Sequence, residues 1–257
     1  MANEMRILFV SGEVAPFTKK SETAQLVRTL PERLHETGDY QTRIMMPRYG
    51  IVSERRNRLH EVIRLSGTEI PIGPDKEILK VKVASIPGIR LQVYFMDNNH
   101  FFKRKGIFAD KQGKVFADNA ERALFFGRSV IETTRNLGWG PDIVHCFGWM
   151  SGFVPMLLRT EFANDPLFEE TRLLFTPETP PLASPLTDSF VEAFGLPATE
   201  AVIGHDPIEI GAAFADLVVY PPSMAPEGDA HQFEEDPETM TNQAIALYEQ
   251  ASNIVPA

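Results

Sequence analysis

The sequence predicts an α/β fold, a single Rossmann-like parallel sheet with helices on both faces, and three observations predict it. Short apolar runs have the composition of buried strands, beginning with residues 5–10. Segments with apolar residues at helical spacing lie between these runs. Strand and helix alternate along the chain, which favours a parallel sheet covered on both faces.

The first strand, residues 5–10, ends where Ser11-Gly12 interrupts the apolar run. Residues 23–35 carry leucines four residues apart and predict an amphipathic helix. Pro31 should kink that helix or split it, because proline has no backbone N–H to donate. Residues 43–46 predict the second strand.

The middle of the chain departs from this pattern once. Residues 78–96 alternate between apolar and polar positions, which predicts an antiparallel hairpin turning near Pro87-Gly88. The next helix should begin at Asp118, with Glu121 in the reciprocal position of a capping box.

The remaining elements resume the alternation. Strands are predicted over 142–146, 173–176 and 217–220, and helices over 152–162, 208–214 and 239–250. Four prolines in residues 177–185 exclude regular structure there, and the acidic, Pro-rich residues 221–237 should form a mobile loop. We expect one domain over 1–220, to which the acidic loop and helix of 221–257 also belong.

Charge is distributed unevenly. Residues 1–172 carry 25 basic and 21 acidic residues, whereas residues 173–257 carry 14 acidic residues and no lysine or arginine. The acidic part cannot attract phosphates, so an anionic ligand should bind within the first two thirds, and no nucleic-acid partner is expected. The single cysteine, the lack of a signal peptide and the lack of a membrane-spanning run predict a cytoplasmic protein without membrane contact.

Common cofactor motifs are missing from the sequence. No G-x-G-x-x-G follows the first strand, and there is no Walker A motif and no cysteine pair that could bind zinc. We therefore expect neither a cofactor nor a metal ion.

Several short motifs occur in a recognisable order: first-strand residues 7–17, V-Y-F-M-D-N at 93–98, D-N-A-E-R at 118–122 and P-D-I-V-H-C at 141–146 followed by Trp149. Together they resemble the N-terminal half of the glycogen and starch synthases, over about residues 6–176. The resemblance implies the N-terminal half of a two-domain GT-B glycosyltransferase, with ADP-glucose as donor and α-1,4-glucan as acceptor.

The first active-site loop of that family reads K-T-G-G-L, and its glycines let the backbone approach the nucleotide diphosphate. Here Lys19 is retained and Lys20 follows it, but Ser21 and Glu22 replace the glycines. The resemblance makes Lys19 and Lys20 candidates for nucleotide-sugar binding, while the alternative is that both are solvated loop charges. Glu22 adds a negative charge where a diphosphate would lie.

Two further family signatures are altered. In H-x-H/N-D-W the chain keeps His145 and Trp149, both candidates for nucleotide-sugar binding, but Gly148 replaces the aspartate that faces the active site. In F-T-x-H-N-L, Glu178 replaces the histidine that contacts the donor sugar. Glu178 is the one candidate catalytic residue, as an acid, base or nucleophile. The alternatives are a buried structural histidine at 145 and an exposed loop carboxylate at 178.

These departures predict that the chain alone does not transfer glucose. Three hypotheses remain: a pseudoenzyme that binds carbohydrate or nucleotide or regulates a true synthase, a transferase half that works with a separate C-terminal domain, and an enzyme of altered chemistry that uses Glu178. The expected partners are accordingly ADP-glucose or α-glucan, and a protein that supplies the second domain.

Overall fold

A ten-stranded sheet organises the molecule in the computed structural model, which describes residues 4–18, 21–179, 183–228 and 230–254. The strands are β1 (Met5–Ser11), β2 (Tyr40–Pro47), β3 (His60–Glu61), β4 (Thr68–Ile72), β5 (Asp75–Ser85), β6 (Gln92–Asp97), β7 (Ile143–Phe147), β8 (Arg172–Thr176), β9 (Leu217–Tyr220) and β10 (His231–Gln232). The helices are α1 (Glu22–Thr37), α2 (Glu54–Asn57), α3 (Asn99–Phe102), α4 (Asn119–Leu137), α5 (Phe153–Arg159), α6 (Asp188–Phe194), α7 (Pro207–Phe214) and α8 (Pro237–Ser252).

The strand order is β10-β9-β8-β7-β1-β2-β6-β5-β3, and β4 pairs with β5 outside this path. The strands from β10 to β6 are parallel, whereas β5 runs antiparallel to β3, β4 and β6. The predicted α/β fold is therefore confirmed, and all five predicted parallel strands lie in this sheet. The predicted hairpin is the β5–β6 pair, and Gly88 supplies its left-handed turn residue with a φ of +92°.

The core lies on both faces of the central strands. Every residue of β7 and β8 is buried, as expected of parallel strands covered on both sides. The covering helices form two groups, α1 packed on α8 and α4 packed on α5, which also contacts α7. Helices on both faces leave the ends of the central strands, and the loops that follow them, as the parts of the sheet that a ligand can reach.

Helix α1 contains Pro31, where the sequence predicted a kink or a split. The helix runs without interruption from Glu22 to Thr37 and is not split at the proline. Pro31 is buried together with Leu30 and Leu34, so the packing of the apolar face outweighs the loss of one backbone hydrogen bond.

The capping box predicted at the start of α4 is wrong. Asp118 does occupy the N-cap position, but its side chain makes no capping hydrogen bond. Arg104 binds both carboxylate oxygens of Asp118 instead, at 2.6 and 2.5 Å. A bidentate bond to a guanidinium group is stronger than a bond to a neutral backbone N–H, which explains why it prevails.

Residues 221–237, predicted as a loop, contain the short strand β10. Its Gln232 amide also donates to the carbonyl groups of Pro222 and Met224, at 3.1 and 2.8 Å. Helix α8 packs on α1 and β8, and its Tyr248 is fully buried. These contacts support our proposal that residues 221–257 belong to the same domain as residues 1–220; the mobility of the loop stays a prediction.

Candidate functional site

Two of the candidate residues, Trp149 and Glu178, lie at the carboxyl edge of the parallel strands, where open α/β sheets bind ligands. The loop after β1 leads into α1, and the segments that follow β7 and β8 carry Trp149 and Glu178. Because β7 lies between β1 and β8, these three segments are neighbours at one edge. Lys19 and Lys20 belong to the first loop but lie outside the described residues, so their role in binding stays a prediction.

Glu178 is the residue that joins the three segments. Its Oε2 accepts a hydrogen bond from the Thr23 hydroxyl at 2.8 Å, and its Oε1 accepts one from the Trp149 N–H at 3.0 Å. Burial raises the pKa of the Glu178 carboxyl above its usual range, and the bonds from Thr23 and Trp149 offset part of that rise. Glu178 is thus a half-buried, internally bonded carboxylate and not the exposed loop group of the alternative interpretation.

Gly148 leaves the space that the Glu178 carboxylate fills. A Cβ atom on Gly148 would lie 2.9 Å from Glu178 Oε2 and closer still to Oε1 and Cδ, so the two groups cannot coexist. Gly148 also has φ 70° and ψ −177°, a backbone conformation that is essentially restricted to glycine. The two departures from the family signatures are therefore coupled, because the carboxylate of Glu178 occupies the space that a side chain at position 148 would fill.

A second carboxylate, that of Glu22, forms hydrogen bonds at the same end of the sheet. Glu22, in the first turn of α1, accepts hydrogen bonds from the N–H of Ser223, at 3.0 Å, and from its hydroxyl. Ser21 precedes it as the N-cap and accepts a bond from the Ala24 N–H at 3.0 Å. The N-terminal turn of α1 is therefore tied to the segment after β9 by Glu22 and to the segment after β8 by Glu178.

His145 lies within β7 and is fully buried. Its Nδ1 is 2.9 Å from the Tyr248 hydroxyl, and its Nε2 is 2.9 Å from the Thr176 hydroxyl. Burial lowers the pKa of His145 to about 3, so the ring is neutral at physiological pH. With both nitrogens bonded inside the protein, this is the arrangement of a structural histidine.

Trp149 opens a short 3₁₀ turn after β7, and only 2% of its surface is exposed. Its backbone N–H, and not its indole ring, takes part in the contact with Glu178. Direct binding of a nucleotide sugar by the His145 or Trp149 side chain therefore stays a prediction that would require neighbouring segments to move.

A cleft of about 630 Å³ lies beside this edge and was not anticipated from the sequence. Phe108 and Ile51, both partly exposed, form apolar surface within it, and Glu13 and Ser21 connect it to the start of α1. The full lining consists of Glu13, Ser21, Ile51, Lys105, Gly106, Ile107, Phe108, Ala109, Asp110, Lys111 and Gly113. An isolated Ile-Phe pair inside a charged, glycine-containing segment was the available sequence signal.

The D-N-A-E-R motif shapes the wall of this cleft. Asp118 binds Arg104, and the Asn119 amide donates to the Phe108 carbonyl at 3.0 Å. Arg122 is completely buried, and its Nε donates to the Phe101 carbonyl at 3.0 Å. The motif thus fixes the segment that carries Phe108.

Among the residues that the structure describes, no three His, Cys, Asp or Glu side chains are grouped so as to hold a metal ion. Within the same residues, no helix is long and apolar enough to cross a membrane.

A family model, that of the starch synthase catalytic domain, matches residues 6–216 of the chain. The chain belongs to this family. Glycogen synthase from Chlorobaculum parvum is 44% identical over 170 residues, and glycogen synthase from Chlorobium limicola is 41% identical over 172 residues. Each alignment covers 66% of this chain and 35% of the relative, so the chain spans about a third of the length of these curated relatives.

The fold is shared with a solved member of the family. The catalytic domain of starch synthase IV from Arabidopsis thaliana, bound to ADP and acarbose, superposes with a TM-score of 0.72 at 21% identity. The similarity covers 97% of this chain and 50% of the Arabidopsis chain. The predicted family and GT-B-type fold are thus confirmed.

Proposed function

We propose that this member of the starch synthase family binds α-glucan and, as an isolated chain, does not transfer glucose from ADP-glucose. The observation that carries the proposal is the contact of Glu178 with Gly148, Thr23 and Trp149. The family motifs have an aspartate at position 148 and a histidine at position 178. Here one internally bonded carboxylate replaces both functional groups.

Electrostatics at the start of α1 also oppose the binding of a nucleotide diphosphate. The partial positive charge at a helix N-terminus normally favours an anion. In this chain, Glu22 lies in the first turn, and Glu178 is bonded to Thr23 in the same turn. Each negatively charged carboxylate near a bound diphosphate would weaken its binding by about 1 kcal/mol. Glucosyl transfer requires a site that stabilises the negative charge developing on the diphosphate, and these carboxylates would destabilise it.

The neighbouring cleft supports glucan binding. Sugar rings present apolar C–H surfaces as well as hydroxyl groups, which suits a site with an aromatic ring among a few polar side chains. Phe108 and Ile51 provide the apolar surface, and Glu13 and Asp110 provide hydrogen-bond acceptors. The Arabidopsis relative with the same fold is bound to ADP and acarbose.

Two measurements test the proposal. In the first, the purified chain is incubated with radiolabelled ADP-glucose and glycogen, and we expect no incorporation above background. Incorporation that Lys19→Ala abolishes would contradict the proposed inactivity. Incorporation that appears only after addition of the separately expressed C-terminal half of a curated relative would favour the split-transferase hypothesis.

In the second, the chain is titrated calorimetrically with maltoheptaose. We expect binding that Phe108→Ala weakens roughly tenfold, because an aromatic contact of this kind contributes about 1 to 1.5 kcal/mol. Ile63→Ala is the matched control, since Ile63 is 77% exposed and lies outside the cleft. Absence of maltoheptaose binding, or an equal loss in both variants, would contradict the glucan site.

A further inference from the structure

A second and larger cleft lies beside the β3–β5 pair and is also lined by Phe17, from the segment after β1. Its volume is about 800 Å³, within the range of roughly 300 to 1,000 Å³ that small-molecule sites occupy. It lies between the turn that follows α2 and the turn that joins β5 to β6. None of its lining residues lines the 630 Å³ cleft, so it is separate from the proposed glucan site.

The charge of this cleft is positive. Arg56, Arg58 and Arg90 line it together with His60, and no acidic residue lines it. Within the described part of the chain, none of the three guanidinium groups forms an ion pair with a carboxylate. Arginines that do form such pairs elsewhere are Arg28, Arg48, Arg104, Arg128, Arg135 and Arg159. Three arginines without a carboxylate partner around one cleft give it a positive potential that attracts anions.

The backbone brings these arginines to one cleft. Arg58 adopts φ 52° and ψ 44°, and it is the only non-glycine residue with positive φ among those the structure describes. This left-handed conformation costs about 1 kcal/mol and turns the chain sharply after α2, so that Arg56 and His60 line the same cleft. Arg90 comes from the facing β5–β6 turn.

The floor of the cleft is apolar. Phe17, Ala84 and Ile86 line it and are buried, and the apolar Pro87 and Ile89 also line it and are exposed and partly exposed. An inorganic ion would use only the arginines, whereas an organic group attached to the ion would also cover this floor.

We propose that this cleft binds a phosphorylated organic small molecule. Arg56, Arg58 and Arg90 hold the phosphoryl group, because guanidinium groups match the geometry and charge of phosphate oxygens. The organic part lies on the apolar surface that Pro87 and Ile89 offer. The proposal is independent of the proposed glucan-binding function, since it concerns different residues.

The test uses calorimetric titration with three probes: inorganic phosphate, phenyl phosphate and phenol. We expect phenyl phosphate to bind more tightly than inorganic phosphate, and phenol not to bind. The variant Arg56→Gln/Arg58→Gln/Arg90→Gln should weaken phenyl phosphate binding at least tenfold, since each guanidinium–phosphate contact near a surface contributes about 1 kcal/mol or more.

The matched control is Arg55→Gln, which removes an exposed arginine of the same helix that does not line the cleft. It should leave binding unchanged. Because all four arginines are exposed, the variants should keep the parent's unfolding midpoint. If the triple variant unfolds earlier than the parent, the single variants Arg58→Gln and Arg90→Gln are titrated in its place.

Three results would overturn the proposal. The first is no binding of phenyl phosphate at millimolar concentration, and the second is an equal loss in the Arg55→Gln control, which indicates non-specific charge attraction. The third is self-association of the parent chain that the triple variant abolishes in sedimentation analysis. That result would assign the cleft to the acidic residues 173–257 of a second copy.

Discussion

The contact between Gly148 and Glu178 makes a quantitative prediction for the variant Gly148→Ala. A Cβ atom on Gly148 would overlap the Glu178 carboxyl group, so the carboxylate has to leave its position. It would then lose the bonds from the Trp149 N–H and the Thr23 hydroxyl. Two bonds to a half-buried charged acceptor contribute about 2 to 3 kcal/mol together. The backbone conformation of Gly148 adds about 1 to 2 kcal/mol for any other residue. We therefore expect Gly148→Ala to lower the free energy of unfolding by about 3 to 5 kcal/mol.

A double-mutant cycle separates the two causes. Glu178→Ala alone removes the same two hydrogen bonds, and we expect a loss of about 2 kcal/mol because relief of carboxylate burial offsets part of it. In Gly148→Ala/Glu178→Ala the hydrogen bonds are lost only once. The sum of the losses in unfolding free energy of the two single variants should therefore exceed the loss of the double variant by about 2 kcal/mol.

Urea unfolding followed by circular dichroism measures all four proteins. Gly138→Ala is the matched control: Gly138 has φ +59°, and no atom lies within 4 Å of the position of its Cβ. Its effect should be about 1 kcal/mol and should add to that of Glu178→Ala without coupling. Additivity of Gly148→Ala and Glu178→Ala within about 0.5 kcal/mol would refute the reasoning, since it would mean that the two groups do not compete for space.

Three further predictions concern His145, Asp97 and the Ser21-Glu22 pair. The pKa of His145 is lowered from 6.5 to about 3, so the unfolded chain takes up a proton below pH 6.5 while the folded chain does not, and stability falls as the pH drops from 6.5 towards 3. The destabilisation caused by His145→Gln should therefore be about 1.4 kcal/mol smaller at pH 5.5 than at pH 7.5 in urea unfolding, and an equal effect at both pH values would contradict the burial of a neutral ring. Asp97 is buried and lies 2.8 Å from Lys82 and 3.1 Å from Arg48, so Asp97→Ala should lower the free energy of unfolding by about 3 kcal/mol, whereas removal of the exposed Glu69 partner of Lys76 should leave the unfolding midpoint unchanged. Finally, Ser21→Gly/Glu22→Gly should strengthen ADP binding roughly tenfold by removing one negative charge, and no gain in calorimetric titration would mean that the nucleotide site has been lost.

The sequence was sufficient for the central parallel strands because burial on both faces imposes a simple pattern, whereas the two-residue parallel strand β10 was missed within a predicted loop. Residues of β7 and β8 must be apolar or internally bonded, and short apolar runs therefore mark them. Strands β3 and β4 were missed because they form an exposed edge, where β3 has only two residues and β4 contains Pro71. The split predicted at Pro31 is absent because tertiary packing outweighed a local preference.

The site was harder to predict because its decisive contacts join distant parts of the chain. The sequence identified Gly148 and Glu178 as departures from the family motifs, but as two separate losses. The structure shows that the space opened at position 148 is filled from position 178, in the segment that follows the neighbouring strand β8. Two departures at the ends of adjacent strands, one that removes an aspartate side chain and one that replaces a histidine by a glutamate, were the available signal. In the same way, Asp118 resembled a helix cap because Arg104, its actual partner, is 14 residues earlier.

The hydrogen bond between His145 and Tyr248 has a consequence for the order in which the protein folds. It spans 103 residues and joins the middle of the sheet to the last helix of the chain. Until α8 has been synthesised, His145 has no Tyr248 hydroxyl to bond, because the two residues are 103 positions apart in the chain. Such high-contact-order closure slows folding and exposes intermediates to chaperones and to aggregation. Packing of α8 on the sheet therefore depends on a contact of high sequence separation, which places its docking after formation of the local contacts of β7.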